Sequence, residues 1–349
     1  MIKSNLHIIT SLESGGAQKV LYDYLVETSS YNSNKQIVIS LRGEGFYSKK
    51  INALGIDLIY LSTMRGVLSF VKLLIFSKGY IKCWMYHACL LSMFFCFLPY
   101  RRIYWSIHHG RIDLNSDSNS TIISAKICSI VSRFVPQKVI YVSKFCLQEH
   151  LKFGFSKSNA IVIYNWVPAY RSDLPKLEDR HYDFCFVGRD HPNKNLRMFL
   201  DSSIETVNNG NIRRFLIAGH GTERNMDYVL SHLNIKDNIN LFSFLGEVEN
   251  IESVYLNSKV YINTSRVESF GLTSLEAIKY GCLVFCPNES IFKEILEESA
   301  HYFTLENSFE LNSLIRDFSV EKISSVSAEI LGKFSKKNTL IKMYELIND

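Results

Sequence analysis

The sequence lacks several features that would assign a class of protein at once. No stretch approaches the roughly 18 consecutive apolar residues that a membrane-spanning helix requires. The eight cysteines fall at positions 83, 89, 96, 128, 146, 185, 282 and 286, without the paired CxxC spacing of zinc and redox sites. Neither an Asp-x-Asp sequence nor the G-x-G-x-x-G dinucleotide pattern occurs. These absences argue against membrane spans, a disulfide framework, a metal centre and an NAD-binding domain.

The beginning of the chain also lacks the features of a secretory signal. The first ten residues, MIKSNLHIIT, contain no long apolar core and no small-residue cleavage site. Scattered, unpaired cysteines are typical of a reducing compartment. The sequence therefore predicts a cytoplasmic location.

What the sequence does contain is enough apolar material for two domains. Of its 349 residues, 47% are hydrophobic and 21% are charged, which is typical of a globular chain of this length. The net charge of +5 is unevenly distributed: residues 1–165 hold 19 Lys and Arg against 8 Asp and Glu, and residues 166–349 hold 20 against 26. This asymmetry indicates that the two halves face different partners.

Strand-like and helix-like patterns alternate along the first half. The apolar strand LHIIT precedes a Gly-containing loop, SLESGGAQ, and a helical pattern. Further strands are predicted at KQIVISL, IDLIYL, IKCWMYH, RIYWSIHH and KVIYVS. Helices are predicted near 47–54, 67–76, 89–98 and 145–153. Strands that alternate with helices favour a parallel, doubly wound sheet.

The alternation restarts after a linker expected between about 165 and 180, where two prolines and a run of charges occur. Strands are predicted at YDFCFVG, RRFLIAG, INLFSFLG, SKVYINTS and CLVFC, and helices around 195–208, 223–233, 249–257, 272–280 and 290–297. The predicted fold class is α/β, with two Rossmann-like doubly wound parallel-sheet domains facing a cleft. We expect these domains at residues 1–167 and 168–334, with a C-terminal helix at 335–349 packing back across the junction.

Two carboxylates frame the start of one predicted helix in the second half. Glu268 lies in the loop after the strand VYINT, and Glu276 lies about one turn into the helix that follows. Backbone amides at this helix start favour a phosphate, whereas carboxylates favour sugar hydroxyls, because a carboxylate can accept two adjacent O–H groups. The pair indicates a nucleotide sugar. The plainer alternative is a solvated loop residue and a partner of the helix dipole.

Stretches along nearly the whole chain share a more specific resemblance. SLESGGAQKVL, VGRDHPNKN, IAGHGTE and FLGEVENIESVYLNSKVYINTS precede Glu268 and Glu276, which are separated by seven residues with SFG after the first. In this order and spacing the sequence resembles the retaining, family-four glycosyltransferases with the GT-B fold, of the bacterial polysaccharide and O-antigen type. The resemblance implies that residues 1–167 bind the acceptor and that residues 168–334 bind the nucleotide-sugar donor.

The resemblance also implies a set of donor-binding residues. Arg189 and Lys194 follow the first strand of the second half and would supply positive charge to a nucleoside diphosphate leaving group. The other donor-binding residues are Gly15, Gly16, Gly188, Asn195, Ser269, Phe270, Gly271, Leu272 and Glu276. A solvated basic loop and an ordinary glycine turn are the plainer alternatives.

Histidines complete the set of candidate residues. His108 and His109 end the predicted strand RIYWSIHH, and the family's histidine in this region contacts the donor sugar. His109, before Gly110, is the better match, with His108 as second choice and a structural role for both as the alternative. The expected catalytic residues are Glu268, His109, His108, Arg189 and Lys194. His87, predicted to end the strand IKCWMYH, is a weaker candidate for acceptor contact.

The function that the resemblance implies is transfer of a hexosyl unit, with retained anomeric configuration, from a nucleotide diphosphate sugar to a glycan or lipid-linked saccharide. A UDP-sugar is the expected donor, and neither a cofactor, a metal nor a nucleic acid is expected. Two alternatives stay open: a nucleotide-sugar epimerase of similar fold, and a catalytically silent partner in a polysaccharide assembly complex. The base, the sugar and the acceptor stay undetermined.

The basic first half further predicts peripheral contact with an anionic membrane at its cytoplasmic face. VLSFVKLLIFSKGYIK places Lys72, Lys78 and Lys82 beside apolar residues, and LLSMFFCFLPYRR ends in Arg101 and Arg102. Both segments are too short to span a bilayer but long enough to lie in its surface, where a polyprenyl-diphosphate-linked acceptor would be found. The alternative is that both are buried helices flanking a sheet.

Overall fold

The computed structural model describes residues 2–29, 34–96, 102–114, 116–167, 173–319 and 329–348. The chain divides into two compact units. Unit 1 comprises Met1–Asn165 together with Ile341–Asp349, and unit 2 comprises Trp166–Leu340. Each unit contains its own parallel sheet connected through helices, which confirms the α/β fold class.

Unit 1 is built on a parallel sheet of eight strands, in which β3-β2-β1-β5-β6-β7-β8 are neighbours in that order and the short β4 also pairs with β1. The strands are β1 (Ile2–Ile9), β2 (Lys35–Ser40), β3 (Asp57–Tyr60), β4 (Ser77–Lys78), β5 (Tyr80–Trp84), β6 (Arg102–Ile107), β7 (Lys138–Tyr141) and β8 (Ala160–Val162). The helices are α1 (Gly16–Thr28), α2 (Phe46–Asn52), α3 (Met64–Phe76), α4 (Tyr86–Leu91), α5 (Asn119–Val131) and α6 (Lys144–Phe153), with a 3₁₀ turn at Ser92–Phe95.

Unit 2 contains a six-stranded parallel sheet in the order β11-β10-β9-β12-β13-β14. The strands are β9 (Tyr182–Val187), β10 (Phe215–Ala218), β11 (Phe242–Gly246), β12 (Ser258–Ile262), β13 (Leu283–Pro287) and β14 (His301–Phe303). The helices are α7 (Leu196–Asn208), α8 (Met226–His232), α9 (Ile251–Leu256), α10 (Leu272–Lys279), α11 (Ser290–Leu296), α12 (Ser308–Asp317) and α13 (Glu329–Lys333), with 3₁₀ turns at Pro192–Lys194, Thr222–Asn225 and Lys236–Leu241. The last helix, α14 (Lys336–Asn348), begins in unit 2 and ends in unit 1.

The strands form because their apolar runs are buried on both faces of each sheet, as in parallel sheets covered by helices. In unit 2, Phe184, Phe215 and Phe242 stand on three neighbouring strands, with ring centroids 5.7 and 4.9 Å apart. Such aromatic stacking adds about 1 kcal/mol per pair to the burial itself. The core therefore holds β9, β10 and β11 in register and fixes where their carboxyl ends lie.

Three sequence predictions in unit 1 need correction. The strand predicted to end at His87 ends at Trp84, because Met85 adopts φ 70°, ψ 165°, which interrupts the strand and starts α4. The histidines His108 and His109 follow β6 instead of ending it. Lys82, predicted beside a basic surface, lies on β5 and is fully buried, so it cannot contact a membrane. The predicted Arg101 lies outside the described residues.

Two helices on the outside of unit 1, α3 and α5, have large apolar side chains exposed to solvent. On α3, Leu68 is 67% and Ile75 is 64% exposed, and on α5, which the sequence patterns did not reveal, Ile130 is 68% exposed. Within the described ranges, no helix combines the length and hydropathy that crossing a bilayer would require. The alternative of fully buried flanking helices is therefore wrong for α3.

Candidate active site

The candidate donor-binding residues of unit 2 lie at the point where the order of its strands reverses. The chain runs outward from β9 through β10 to β11, then crosses to β12 on the other side of β9. The loops after β9 and β12 therefore diverge above neighbouring strands and leave a crevice, the usual ligand position in a doubly wound sheet. Arg189 and Lys194 belong to the first loop and Glu268 to the second.

Backbone and side-chain contacts fasten these two loops together. Thr264 Oγ1 donates to the carbonyl oxygens of Lys194 (2.9 Å) and Asn195 (3.0 Å), and the backbone N–H of Arg266 donates to Asn193 O (2.8 Å). The Arg266 side chain continues to Glu306, in the loop after β14, with Nε 2.5 Å from Oε1. The loops are thus positioned before any ligand binds, which reduces the ordering that binding requires.

An ion pair joins the side chains of these two loops. Lys194 Nζ donates to Glu268 Oε1, and Ser265 Oγ donates to the same oxygen at 3.0 Å. Both charged side chains are mostly buried. The sequence placed Lys194 and Glu268 in separate roles, as a phosphate ligand and a sugar ligand. The structure brings them into direct contact.

Glu276 lies on α10 and is buried. The hydroxyl of Tyr261 has its pKa raised well above the usual value, mainly by burial and further by the negative charges of Glu268 and Glu276. Both carboxylates thus act on one hydroxyl, which donates to Thr273 Oγ1 at 2.9 Å. The expected placement of both acids at one ligand site stays a prediction.

The turn between the two acids has the backbone geometry of a helix start. Gly271 adopts φ 78°, ψ 42° as the N-cap of α10, and this left-handed conformation favours glycine. With no side chain at the N-cap, this residue supplies no oxygen to cap the amides of the first turn, and uncapped amides at a helix start can bind an anion. Phe270 is buried against Phe334 (ring centroids 5.2 Å) and anchors the turn, so it supports the site through packing.

Arg189, Gly188 and Asn195 take three different positions after β9. Arg189 is exposed and forms no hydrogen bond or ion pair with the part of the chain that the structure describes. Gly188 lies against the β10 turn so closely that a Cβ added at Gly219 would meet Gly188 O at 1.9 Å. Asn195 is buried, adopts φ 51°, and donates to Glu306 Oε1 at 3.3 Å, so its side chain holds the loop.

Unit 1 has an equivalent reversal of strand order between β1 and β5, and three candidate residues follow these strands. Gly15 is the N-cap of α1 and Gly16 its first residue, and a Cβ added at Gly16 would meet nothing within 4 Å. His87 lies in α4, with its Nε2 2.8 Å from Ser120 Oγ. Its pKa is lowered, mainly by burial and to a smaller extent by the positive charge of Arg42. Gly16 therefore offers open backbone to an approaching ligand.

The adjacent histidines after β6 have different surroundings. His108 stacks on Trp84 with ring centroids 5.2 Å apart, and burial, assisted by Lys82, lowers its pKa to about 3. His109 lies with Nε2 3.0 Å from Asp117 Oδ2. His108 is thus a neutral residue packed on the sheet, and His109 is bound to a carboxylate.

Several residues at these sites escaped the sequence analysis. Ser265, Thr264 and Tyr261 organise the acids of unit 2, and Asp117 pairs with His109 in unit 1. Tyr261, Thr264 and Ser265 lie within the stretch that carried the resemblance, whereas Asp117 had no sequence signal. Among the described residues, no group of three His, Cys, Asp or Glu side chains could hold a metal ion.

The fold and this crevice define a class of protein. Residues 171–322 match the family model described as glycosyl transferases group 1. HepE of Anabaena, solved in complex with UDP-glucose, is similar over 99% of this chain and 98% of its own, with 17% sequence identity and a TM-score of 0.79. Residues 171–322 are thus similar to the glycosyl transferases group 1 family, and the chain shares the fold of HepE, in agreement with the predicted resemblance to family-four, GT-B type glycosyltransferases.

Two curated relatives are more specific. WclY of Escherichia coli, an O-antigen biosynthesis glycosyltransferase, is 29% identical over 120 residues, which are 34% of this chain and 33% of WclY. RfbU of Salmonella typhimurium, an O-antigen chain mannosyltransferase, is 27% identical over 164 residues, which are 45% of this chain and 43% of RfbU. The chain thus aligns with less than half the length of these relatives.

Proposed function

We propose that this protein is a retaining glycosyltransferase that moves a hexosyl unit from a UDP-sugar to a saccharide or lipid-linked acceptor in bacterial surface-polysaccharide assembly. The observation that carries the proposal is the contact between Lys194 and Glu268 at the strand-order reversal of unit 2, followed along the chain by α10 with Glu276. This arrangement combines cationic charge, a helix start and two carboxylates, which are the groups that a diphosphate joined to two sugars requires.

Each residue then has a chemical role. The exposed Arg189 and the mostly buried Lys194 bind the diphosphate, and Lys194 exchanges its Glu268 partner for phosphate oxygens when the donor binds. The amides at Gly271 and Leu272 add neutral donors, so that charge developing on the leaving diphosphate is stabilised without a metal ion. Glu276 accepts the ribose hydroxyls, and Glu268, released from Lys194, accepts hydroxyls of the transferred sugar.

Retention follows from attack on the same face of the sugar. The acceptor hydroxyl approaches beside the leaving diphosphate, and a diphosphate oxygen helps to take the acceptor's proton. In unit 1, Gly16 offers open backbone to a phosphate or a sugar, and His109 offers its imidazole to a sugar hydroxyl. Support for a UDP-sugar comes from the HepE complex with UDP-glucose, and support for a surface-polysaccharide acceptor comes from the names of WclY and RfbU.

The test is a transfer assay with a panel of donors. UDP-glucose, UDP-galactose, UDP-N-acetylglucosamine and GDP-mannose are offered with saccharide acceptors, in the presence and absence of EDTA. We expect transfer from one UDP-sugar, an anomeric coupling constant in the product equal to that of the donor, and activity that survives the chelator. Inverted product, or activity lost in EDTA and restored by Mg²⁺ or Mn²⁺, would contradict the mechanism.

The same assay separates the alternative functions. An epimerase would convert UDP-N-acetylhexosamine to its epimer with no acceptor present. A silent partner would bind UDP and transfer nothing with any donor.

We further propose that unit 1 attaches the enzyme to the cytoplasmic face of an anionic membrane. Exposed apolar residues on α3 stand beside the exposed basic residues Arg65 and Lys72, and those on α5 stand beside Lys126 and Arg133. Apolar side chains flanked by cations are the composition of helices that lie in a bilayer surface.

A further inference from the structure

The loop between β6 and α5 brings Asp117 to the ring of His109. His109 Nε2 lies 3.0 Å from Asp117 Oδ2, and the two side chains are only 15% and 9% exposed. The same carboxylate oxygen accepts the backbone N–H of Asp113 at 2.9 Å. Asp117 is therefore held by its own loop as well as by the histidine.

This contact determines where the proton of a neutral His109 lies. A carboxylate oxygen accepts hydrogen bonds, and Asp117 Oδ2 already accepts the backbone N–H of Asp113. The hydrogen between the two side chains therefore belongs to His109 Nε2. In a neutral imidazole the other nitrogen, Nδ1, is then a hydrogen-bond acceptor.

We propose that Asp117 is a positioning residue that fixes the Nε2–H tautomer of His109, so that Nδ1 accepts a hydrogen bond from a hydroxyl group of the sugar substrate. The role of His109 toward a sugar rests on the proposed function, whereas the tautomer does not.

The neighbouring histidines show why His109 is suited to this role. His150 Nδ1 faces its partner Cys146 O at 2.7 Å and donates, so its Nε2 accepts from the hydroxyl of Tyr86 inside the core. His108 contacts the hydroxyl of Ser106, which can donate or accept and therefore sets no tautomer. Of these three histidines, His109 is the one whose partner is an Asp side chain and that also follows the C-terminal end of a strand, where ligands bind to parallel sheets.

The backbone of His109 is held as firmly as its ring. Cys146 Sγ, at the start of α6, donates to His109 O at 2.7 Å, and the ring of Tyr86 lies 5.6 Å from the imidazole. A fixed backbone and a fixed ring orientation leave little conformational entropy to lose when a substrate hydroxyl binds.

Nuclear magnetic resonance reads the tautomer directly, without activity. In protein labelled with ¹⁵N-histidine, a long-range ¹H–¹⁵N spectrum distinguishes Nε2–H from Nδ1–H. We expect the Nε2–H form for wild-type His109 and mixed tautomers in Asp117→Ala. Asp117→Asn, whose amide oxygen can still accept from Nε2–H, should keep the wild-type tautomer. Finding Nδ1–H in the wild-type protein would overturn the proposal, whether or not the enzyme transfers sugar.

Donor analogues test the direction of the hydrogen bond. A deoxy sugar loses the hydroxyl, whereas a fluoro sugar at the same carbon can accept a hydrogen bond but not donate one. If the hydroxyl donates to Nδ1, neither analogue can replace it. We therefore expect one carbon of the sugar at which the deoxy and the fluoro donor both have a kcat/KM roughly fivefold below that of the natural donor in the wild-type enzyme. In Asp117→Ala this penalty should shrink, while Asp117→Asn retains it.

The controls separate this proposal from the proposed function. Asp57→Ala removes another carboxylate of unit 1, that of the exposed pair with Lys35, and should leave the analogue pattern unchanged. If transfer occurs and every fluoro donor has the same kcat/KM as the natural donor, the accepting role of Nδ1 is contradicted. Absence of transfer from every donor would instead contradict the proposed function and leave the tautomer result standing.

Discussion

Glu268 and Glu276 are separated by seven residues but have different surroundings. Glu268 is bound to Lys194 and Ser265, whereas Glu276 is buried on α10. We predict that Glu276→Ala weakens UDP binding by about 2 kcal/mol, because it removes the acceptor of two ribose hydroxyls. Glu268→Gln should retain UDP binding and lower turnover, since Lys194 stays available to the phosphates.

Titration calorimetry with UDP measures the first effect and steady-state kinetics the second. Glu205→Ala, which removes an exposed carboxylate from α7, is the matched control and should bind UDP as the wild type does. Wild-type affinity in Glu276→Ala would mean that the ribose assignment is wrong.

Gly16 offers a second test at the level of single residues. A Cβ added there meets nothing within 4 Å, so Gly16→Ala should fold normally and gain up to about 1 kcal/mol of stability from the less flexible unfolded chain. If substrate approaches this backbone, the added methyl group should raise the KM for the donor. Thermal unfolding and donor kinetics on the same variant check both expectations. Unchanged kinetics would remove Gly16 from the donor site.

At the level of elements, β5 and α14 meet at an unusual buried lysine. Lys82 Nζ donates to Met343 Sδ at 3.2 Å and lies 4.4 Å from the ring centroid of Trp84 and 4.6 Å from that of Tyr24. No carboxylate among the described residues pairs with it, and burial lowers its pKa to about 7. The last helix is thus attached to unit 1 partly through an amine that loses its charge near neutral pH.

This lysine makes stability depend on pH in a defined direction. Between about pH 7 and pH 10.5 the unfolded chain binds a proton at Lys82 that the folded chain does not, so the free energy of unfolding rises with pH. The slope from this group is at most about 1.4 kcal/mol per pH unit. We predict that Lys82→Met removes this slope and is more stable than the wild type at pH 7.

Urea unfolding at pH 7 and pH 9.5 compares the two proteins. The nearby imidazoles of His7 and His108 have pKa values lowered to about 3 by burial, and burial raises the pKa of the Tyr24 hydroxyl. In the folded protein these groups therefore do not titrate between pH 7 and pH 9.5, and their titration in the unfolded chain is common to wild type and Lys82→Met, so the difference between the two proteins isolates Lys82. An equal change with pH in wild type and Lys82→Met would contradict the assignment.

At the scale of the whole molecule, the charge excess of the first 165 residues predicts salt-sensitive membrane binding. Cosedimentation with liposomes should increase with anionic lipid and decrease with added salt, because ions screen the attraction. Leu68→Ser/Ile75→Ser tests the exposed face of α3, and Ile130→Ser/Phe134→Ser tests exposed apolar residues at the end of α5 and in the turn after it. Ile212→Ser, at an equally exposed position of unit 2, is the matched control.

We expect at least one of the two double variants to reduce sedimentation severalfold while Ile212→Ser has no effect. Equal binding to neutral and anionic liposomes would contradict the electrostatic explanation. No binding at low salt would favour an acceptor that is not held in a membrane.

Most elements could be predicted from the sequence because the signals are local. The apolar runs KQIVISL and YDFCFVG form strands nearly as predicted, and the helix at 195–208 forms as Leu196–Asn208. The missed elements had weaker signals: β8 and β14 have three residues each, and the mixed sequence of α5 places Ile123, Ile127 and Ile130 toward solvent. The strand expected through His87 failed because the conformation of Met85 is not encoded in apolar periodicity.

The sequence by itself determined the parallel α/β class and the resemblance to glycosyltransferases, because strand pattern and motif spacing are properties of neighbours along the chain. Only the tertiary structure decided which partner each residue has. Lys194 and Glu268 meet because β9 and β12 are adjacent. Lys82 is buried because β5 is central, and Asp117 reaches His109 because its loop folds back. Charge state and tautomer depend on burial and on such partners, and neither can be read from the order of residues.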